Sequence, residues 1–226
     1  MLRSTTRGLA ALGTGLAVAL LFAARASAGP ATSTVLPDPA LDQPLATAPG
    51  QQSIVFAGGC FWGVQAVFQH VKGVVSATSG YAGGTTSGAS YEEVSSGATG
   101  HAESVRVVFD TSKVSLGQLL KVFFSVVHDP TELNRQGPDV GTQYRSAVFY
   151  SNDAQRDVVK AYIAQLTAGK AFSKPIVTEV APLKAFHEAE AYHQDYYNRH
   201  PNQPYIVYND KPKVEALRSQ FAALWK

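Results

Sequence analysis

The sequence predicts an α+β fold: a ferredoxin-like two-layer sandwich, with helices packed on a mixed or antiparallel sheet and extra C-terminal helices after it. Three observations lead there. Short β-branched and aromatic runs alternate or stop at glycines, apolar stripes at helical spacing lie between them, and the two kinds of segment follow a particular order. From residue 51 that order is strand, helix, strand, strand, helix, strand, the connectivity of a split βαβ sheet with helices on one face.

Each element has its own signal. "SIVFAGG" (Ser53 to Gly59) is a strand stopped by glycines. From Trp62, the apolar positions Val64, Val67 and Phe68 recur at helical spacing, so Cys60 falls at a strand-to-helix junction. "GVVSATSGYAGG" reads as a turn, a strand and a glycine-rich loop, and "GASYEEVSSGATGHAE" as a loop with one short helical piece. "AESVRVVFD" alternates, with Glu103, Val105, Val107 and Phe109 on one face. "SLGQLLKVFFSVV" is an amphipathic helix capped by Ser115, with Leu116, Leu119, Leu120, Phe123 and Val127 as its stripe. A polar loop, "HDPTELNRQGPDVGTQ", leads to the strand "YRSAVFY". A helix then spans about Asp153 to Ala168 and stops at Gly169. "PIVTEVAP" reads as a strand and Glu188 to Asn198 as a helix. No internal repeat is present.

The domain organisation has three parts. Residues 1–28 have the layout of a secretory signal peptide: a basic start at Arg3 and Arg7, the apolar run "LAVALLFAA", and the small-residue pattern Ala26-Ser27-Ala28. The apolar run is too short and too interrupted for a comfortable membrane span. Residues 29–50 form a Pro/Ala/Thr-rich linker with five of the chain's twelve prolines, expected to be extended or disordered. Residues 51–226 form one catalytic domain with a sizeable core. A periplasmic or secreted location follows from the signal, with no stable membrane association once it is cleaved. Cleavage removes three arginines and no acid, taking the formal charge from +2 to −1. So balanced a charge offers no footprint for nucleic acid. A monomer is expected.

The chemistry centres on one thiol. Cys60 is the only cysteine and Met1 the only methionine, so without the signal Cys60 is the only sulfur. One cysteine excludes an internal disulfide and the Cys-rich zinc frameworks. The helix start directs backbone N–H groups at the thiol, which predicts a lowered pKa, and Gly58 and Gly59 expose it. Phe61 and Trp62 follow it. Consecutive residues at a helix start cannot both enter one core, so a ring faces the cleft and boxes a small apolar group. Glu103, on an apolar strand face, is predicted to be desolvated and protonated near neutrality, and so able to donate a proton. "HEAEAYH" (His187 to His193) fails as a zinc motif, because its histidines are six apart rather than four. No G-x-S-x-G elbow or phosphate-binding fingerprint is present.

With these residues in view, the sequence closely resembles the A-type peptide methionine sulfoxide reductases. The matching stretches are "GGCFWG", "GYAGG", "TGHAE", "HDPTELNRQGPDVGTQYRS" and "AEAYHQDY", in family order across most of residues 51–226. The resemblance implies that Cys60 attacks the sulfoxide sulfur, leaving methionine and a cysteine sulfenic acid, and that Glu103 protonates the departing oxygen. It implies that Tyr91 and Tyr144 hydrogen-bond that oxygen, that Phe61 and Trp62 hold the methyl group, and that Asp139 and Tyr196 support substrate binding. The implied substrate is the S epimer, in oxidised proteins, peptides or free methionine sulfoxide, and the implied fold is the α+β sheet above. No bound cofactor or metal is expected, only an external thiol reductant, thioredoxin-like or of low molecular weight. The sequence departs from many members in one respect. Neither its tail, "YNDKPKVEALRSQFAALWK", nor Ser95 and Ser96 of the central loop supplies a resolving cysteine.

Two other classes remain open from the residues alone. One is a cysteine hydrolase with His101 as base and Asp139 orienting it. The other is a non-catalytic module that binds oxidised methionine.

Overall fold

The computed structural model describes residues 1–2, 35–85 and 89–226. The expected signal peptide thus lies, but for its first two residues, outside the described residues, as does the start of the linker. The elements are β1 (Gln51–Gly58), α1 (Phe61–Gln69), β2 (Val74–Ala82), α2 (Tyr91–Ser95), β3 (Ala102–Asp110) and α3 (Leu116–Val122), then the short hairpin β4 (Arg135–Gln136) and β5 (Asp139–Val140). After them come β6 (Ser146–Tyr150), α4 (Asp153–Ala168), β7 (Glu179–Pro182), β8 (Phe186–Glu188), α5 (Tyr196–Arg199) and α6 (Lys211–Gln220). The main sheet has the order β7-β6-β1-β3-β2-β8. Its four inner strands, β6-β1-β3-β2, pair antiparallel throughout, which is the predicted ferredoxin-like arrangement. β7 extends it in parallel beside β6 and β8 antiparallel beside β2.

Alternation along the strands decides where the core lies. Ile54 and Phe56 of β1 and Val105, Val107 and Phe109 of β3 share a buried cluster with Val64, Val67 and Phe68 of α1. Phe56 is fully buried between two rings, Phe68 and Phe123, each with its centroid 4.8 Å away. Burying one such ring contributes about 2–3 kcal/mol.

Register carries three distant segments to one point. In the β1–β3 pair Phe56 faces Val105, so two residues further on Glu103 comes beside Gly58, at the turn into α1. In the β1–β6 pair Gly58 faces Ser146, and the same register two residues beyond sets Tyr144 opposite Cys60. A slip of one residue in either pair would turn Glu103 or Tyr144 to the other side of the sheet.

Several elements differ from the predicted ones. The helix expected over Glu188–Asn198 forms only in pieces, a 3-10 turn at Ala191–His193 and, from Tyr196, α5. Its start instead pairs with the free edge of β2, Glu188 opposite Gly80 and Phe186 opposite Ala82. Past it, the Gln194 side chain donates to the carbonyls of Ser79 and Ala189 and accepts from the Ser79 N–H, at 2.9–3.0 Å. Asp195 then takes a left-handed φ of 53° that ends any helix. The strand expected over "PIVTEVAP" is confined to its second half, β7. α3 widens after Val122 into a π-helical turn, Phe123–Val127, which lets the adjacent rings of Phe123 and Phe124 both be buried. The polar loop before β6 contains the β4–β5 hairpin.

Residues 35–50 form no helix or strand, yet they are tied to the body. Leu36 is buried, Tyr162 donates to the Pro37 carbonyl at 2.8 Å, and Asp38 pairs with Lys121 at 2.8 Å. Asp42 accepts from the Ser115 hydroxyl and from the Gly117 N–H, so a residue far upstream helps cap α3. Asp42→Ala should therefore lower stability by about 1–2 kcal/mol, the usual worth of a helix cap. Urea unfolding measures this directly; an unchanged midpoint would mean that the strap contributes nothing.

Candidate active site

The site forms where β1 gives way to α1. Gly59 has φ +89°, and a Cβ there would sit 2.7 Å from the Gln136 side chain, so the turn needs glycine both for its backbone and for the loop packed on it. Cys60 follows as the residue capping α1. It is 8 % exposed. With Phe61, Trp62, Tyr91, Glu103, Asp139, Tyr144, Gln203 and Tyr205 it lines a cavity of ≈ 260 Å³. Seven of the eight residues singled out in the sequence thus meet in one cavity.

Glu103 is buried at 3 % exposure, and its Oε2 accepts from the Phe61 backbone N–H at 3.0 Å. Burial pushes its pKa up to about 8, and the Phe61 N–H offsets only part of that, so the carboxyl is neutral and able to donate at pH 7. Tyr91 opens α2, where its own N–H donates to Glu190 at 2.9 Å, and that carboxylate also accepts from the Tyr81 hydroxyl at 2.9 Å. Tyr144 ends the tight turn before β6. Burial and the nearby carboxyls raise the pKa of Tyr91, Tyr144 and Tyr205, which keeps all three phenols as donors.

The thiol differs from its sequence-based expectation. Its pKa is raised rather than lowered, because burial and the carboxyls of Glu103 and Asp210 outweigh the Trp62 backbone N–H and the Lys213 ammonium. A helix start stabilises a thiolate only where water or a cation supports it. The cavity therefore holds a neutral thiol beside a neutral acid.

Trp62 is fixed from several sides. Its indole stacks on Tyr196 with centroids 3.8 Å apart, meets the Tyr205 ring edge-on at 5.8 Å, and donates to His193 Nδ1 at 3.1 Å. Tyr196, expected among the substrate-binding residues, thus lies behind the indole rather than on the cavity wall, because the left-handed Asp195 redirects the chain there. Phe61 is buried against Tyr81 and His193 and shows one side to the cavity. Asp139, on β5, accepts from the Tyr205 hydroxyl.

A sequence profile described as peptide methionine sulfoxide reductase matches residues 52–224. The chain belongs to this family. Peptide methionine sulfoxide reductase MsrA 2 of Mesorhizobium japonicum is 57% identical over 178 residues, which covers 79% of this chain and 91% of that protein. MsrA 2 of Synechocystis is 50% identical over 192 residues, with 84% and 90% covered. Among solved structures, methionine sulfoxide reductase A of Corynebacterium diphtheriae aligns with a TM-score of 0.59 at 34% identity, over 77% of this chain and 87% of that one. Mxr1 from Saccharomyces cerevisiae in reduced form aligns with a TM-score of 0.60 at 32% identity, over 72% and 91%. The chain is thus an oxidoreductase acting on methionine sulfoxide.

Membership in the reductase family agrees with what the hydrolase alternative lacks. His101 accepts from the Gly84 N–H and meets the His187 ring edge-on, and no histidine is among the residues lining the cavity with Cys60. Sequence reasoning missed Tyr205, Gln203 and Asp210. They lie in "HPNQPYIVYND", where proline and mixed polarity hide any period, and where a π-helical turn, Ile206–Asp210, precedes α6. Asp210 is fully buried against Gly63, whose missing side chain makes room for the carboxyl.

A raised acid has a measurable cost. Folding favours neutral Glu103, so this group leaves stability untouched below about pH 4.5 and erodes it as pH rises towards its folded pKa of about 8. Glu103→Gln should accordingly become more stable than the unmodified chain by roughly 3–5 kcal/mol at pH 8, with the gap closing toward pH 4.5. Denaturant melts at both pH values measure it; a gap independent of pH contradicts the assignment.

Proposed function

We propose that this chain reduces methionine-S-sulfoxide, in oxidised proteins and in peptide or free form, through a Cys60 sulfenic acid that an external thiol regenerates. The observation that carries this reading is the meeting of one thiol, one neutral carboxylic acid and neutral phenols in a cavity walled by Phe61 and Trp62. The methyl group rests against the two rings, and the sulfoxide oxygen accepts from Tyr91 and Tyr144. Methyl box and proton donor then take opposite sides of a chiral sulfur, which selects one epimer, the S epimer that the family resemblance implies.

The high pKa values of thiol and acid fit one exchange. As Cys60 Sγ attacks the sulfoxide sulfur, Glu103 gives its proton to the oxygen and receives the thiol's proton in return. The Sγ–S bond so formed and the S–O bond to methionine then break as the oxygen passes to Cys60 as sulfenic acid, so methionine is released, the sulfoxide is reduced and the cysteine oxidised. Cys60 is the only cysteine, so the return to thiol needs two equivalents of an outside thiol, thioredoxin-like or small. Residues 1–28 support action in the periplasm or outside the cell.

Separated sulfoxide epimers with a dithiol reductant test this. Cys60→Ser should abolish turnover, and Glu103→Gln should lower the rate about 10²–10⁴-fold, the range for a lost general acid. Activity should also fall as pH rises through about 8, where Glu103 ionises. Retained activity in Cys60→Ser, or preference for the R epimer, would overturn the reading. Substrate binding that survives both substitutions without any turnover in the unmodified chain would favour a binding module instead.

A further inference from the structure

Cys60 belongs to two cavities. The second, ≈ 210 Å³, is bounded by Gln136, Gly137 and Pro138 on one side and by Tyr208, Asn209 and Lys213 on the other. It shares only Cys60 and Tyr205 with the first. The two differ in their polar groups: the first has the neutral Glu103 carboxyl and Asp139 on its wall, whereas the second has the Lys213 ammonium on its wall and the Asp210 carboxyl buried behind it. Lys213 is held there by the fully buried Asp210, 3.5 Å away, with 18% of its side chain exposed. The reduction of the sulfoxide uses none of the residues peculiar to this second cavity.

Sulfenic acid chemistry requires something of this shape. Displacement at sulfur is in line, so a thiolate must approach Cys60 Sγ from the side away from the oxygen it expels. That oxygen is left in the first cavity, beside Glu103, Tyr91 and Tyr144. The first cavity is also where methionine has just formed, so a thiol entering from that side would have to displace it.

Resting on the sulfenic acid reading above, we propose that the second cavity admits the reducing thiol and that Lys213 sets its preference for anionic over cationic thiols. The incoming thiolate forms an S–S bond with Cys60 while the S–O bond breaks, and the hydroxide leaves as water with a proton from Glu103. A second thiolate then attacks the reductant's sulfur, releasing Cys60 and a disulfide. Two thiols are oxidised and the sulfenic acid is reduced. A small thiol and the exposed cysteine of a dithiol protein share this chemistry.

The test begins from chain oxidised by one equivalent of methionine sulfoxide. Loss of the sulfenic acid is followed by mass spectrometry after mixing with 2-mercaptoethanesulfonate, 2-mercaptoethanol or 2-aminoethanethiol, each rate corrected for its thiolate fraction. A thioredoxin forms a second arm. The unmodified chain should favour the sulfonate over the amine about tenfold, and added salt should shrink that ratio. Lys213→Met should bring the ratio close to one, while Lys213→Arg should keep it. Slower recycling of Lys213→Met by thioredoxin as well places a protein thiol in the same cavity; an effect on the small thiols alone assigns the cavity to them. A ratio that neither salt nor Lys213→Met changes overturns the proposal. Failure to release one methionine per chain in the first step overturns the sulfenic acid reading itself.

Discussion

The hydrogen bond from the Phe61 N–H to Glu103 Oε2 joins the first turn of α1 to the middle of the sheet, and the site depends on it. It satisfies a backbone donor that a helix start leaves unpaired, and it does so with a buried carboxyl. That one contact orients Glu103 toward Cys60 and fixes how α1 leaves the sheet. Strand register supplies the rest, because the pairing that sets Phe56 against Val105 also decides that Glu103 reaches the turn.

The energetics of the site run against ordinary charge pairing. Thiol, carboxyl and three phenols all have their pKa values raised, chiefly by burial, so all are neutral near pH 7. Such a site is poor at holding ions and suited to handing a proton to a dipolar oxygen as that oxygen gains charge. The cost of keeping these groups dry is carried by the packing behind them. Tyr196 and His193 hold Trp62, while Glu190 ties Tyr91 to Tyr81.

Much of this was legible in the sequence, and the reasons differ by residue. The alternation in "AESVRVVFD" placed Glu103 on the buried face, and desolvation then dictated the direction of its pKa. Ser115 marks a helix start by its chemistry and accepts the capping hydrogen bond. The Cys60 shift runs opposite to the expectation, because a helix start is visible in sequence whereas the burial of the thiol and the carboxyls of Glu103 and Asp210 beside it come from tertiary folding. The helix expected over Glu188–Asn198 was broken up for a similar reason. The open edge of β2 and the side chain of Gln194 offered its backbone better partners. Tyr205 left no signal at all: its place on the wall follows from a π-helical turn and from Asp139, far away in sequence.

The account turns on Glu103 being a neutral acid in the folded chain. The most direct measurement is the infrared difference between the unmodified chain and Glu103→Gln, followed across pH. A protonated-carboxyl C=O band present at neutral pH and lost near pH 8 is the predicted result. A band already lost near pH 4.5, as for an ordinary glutamate, would contradict it.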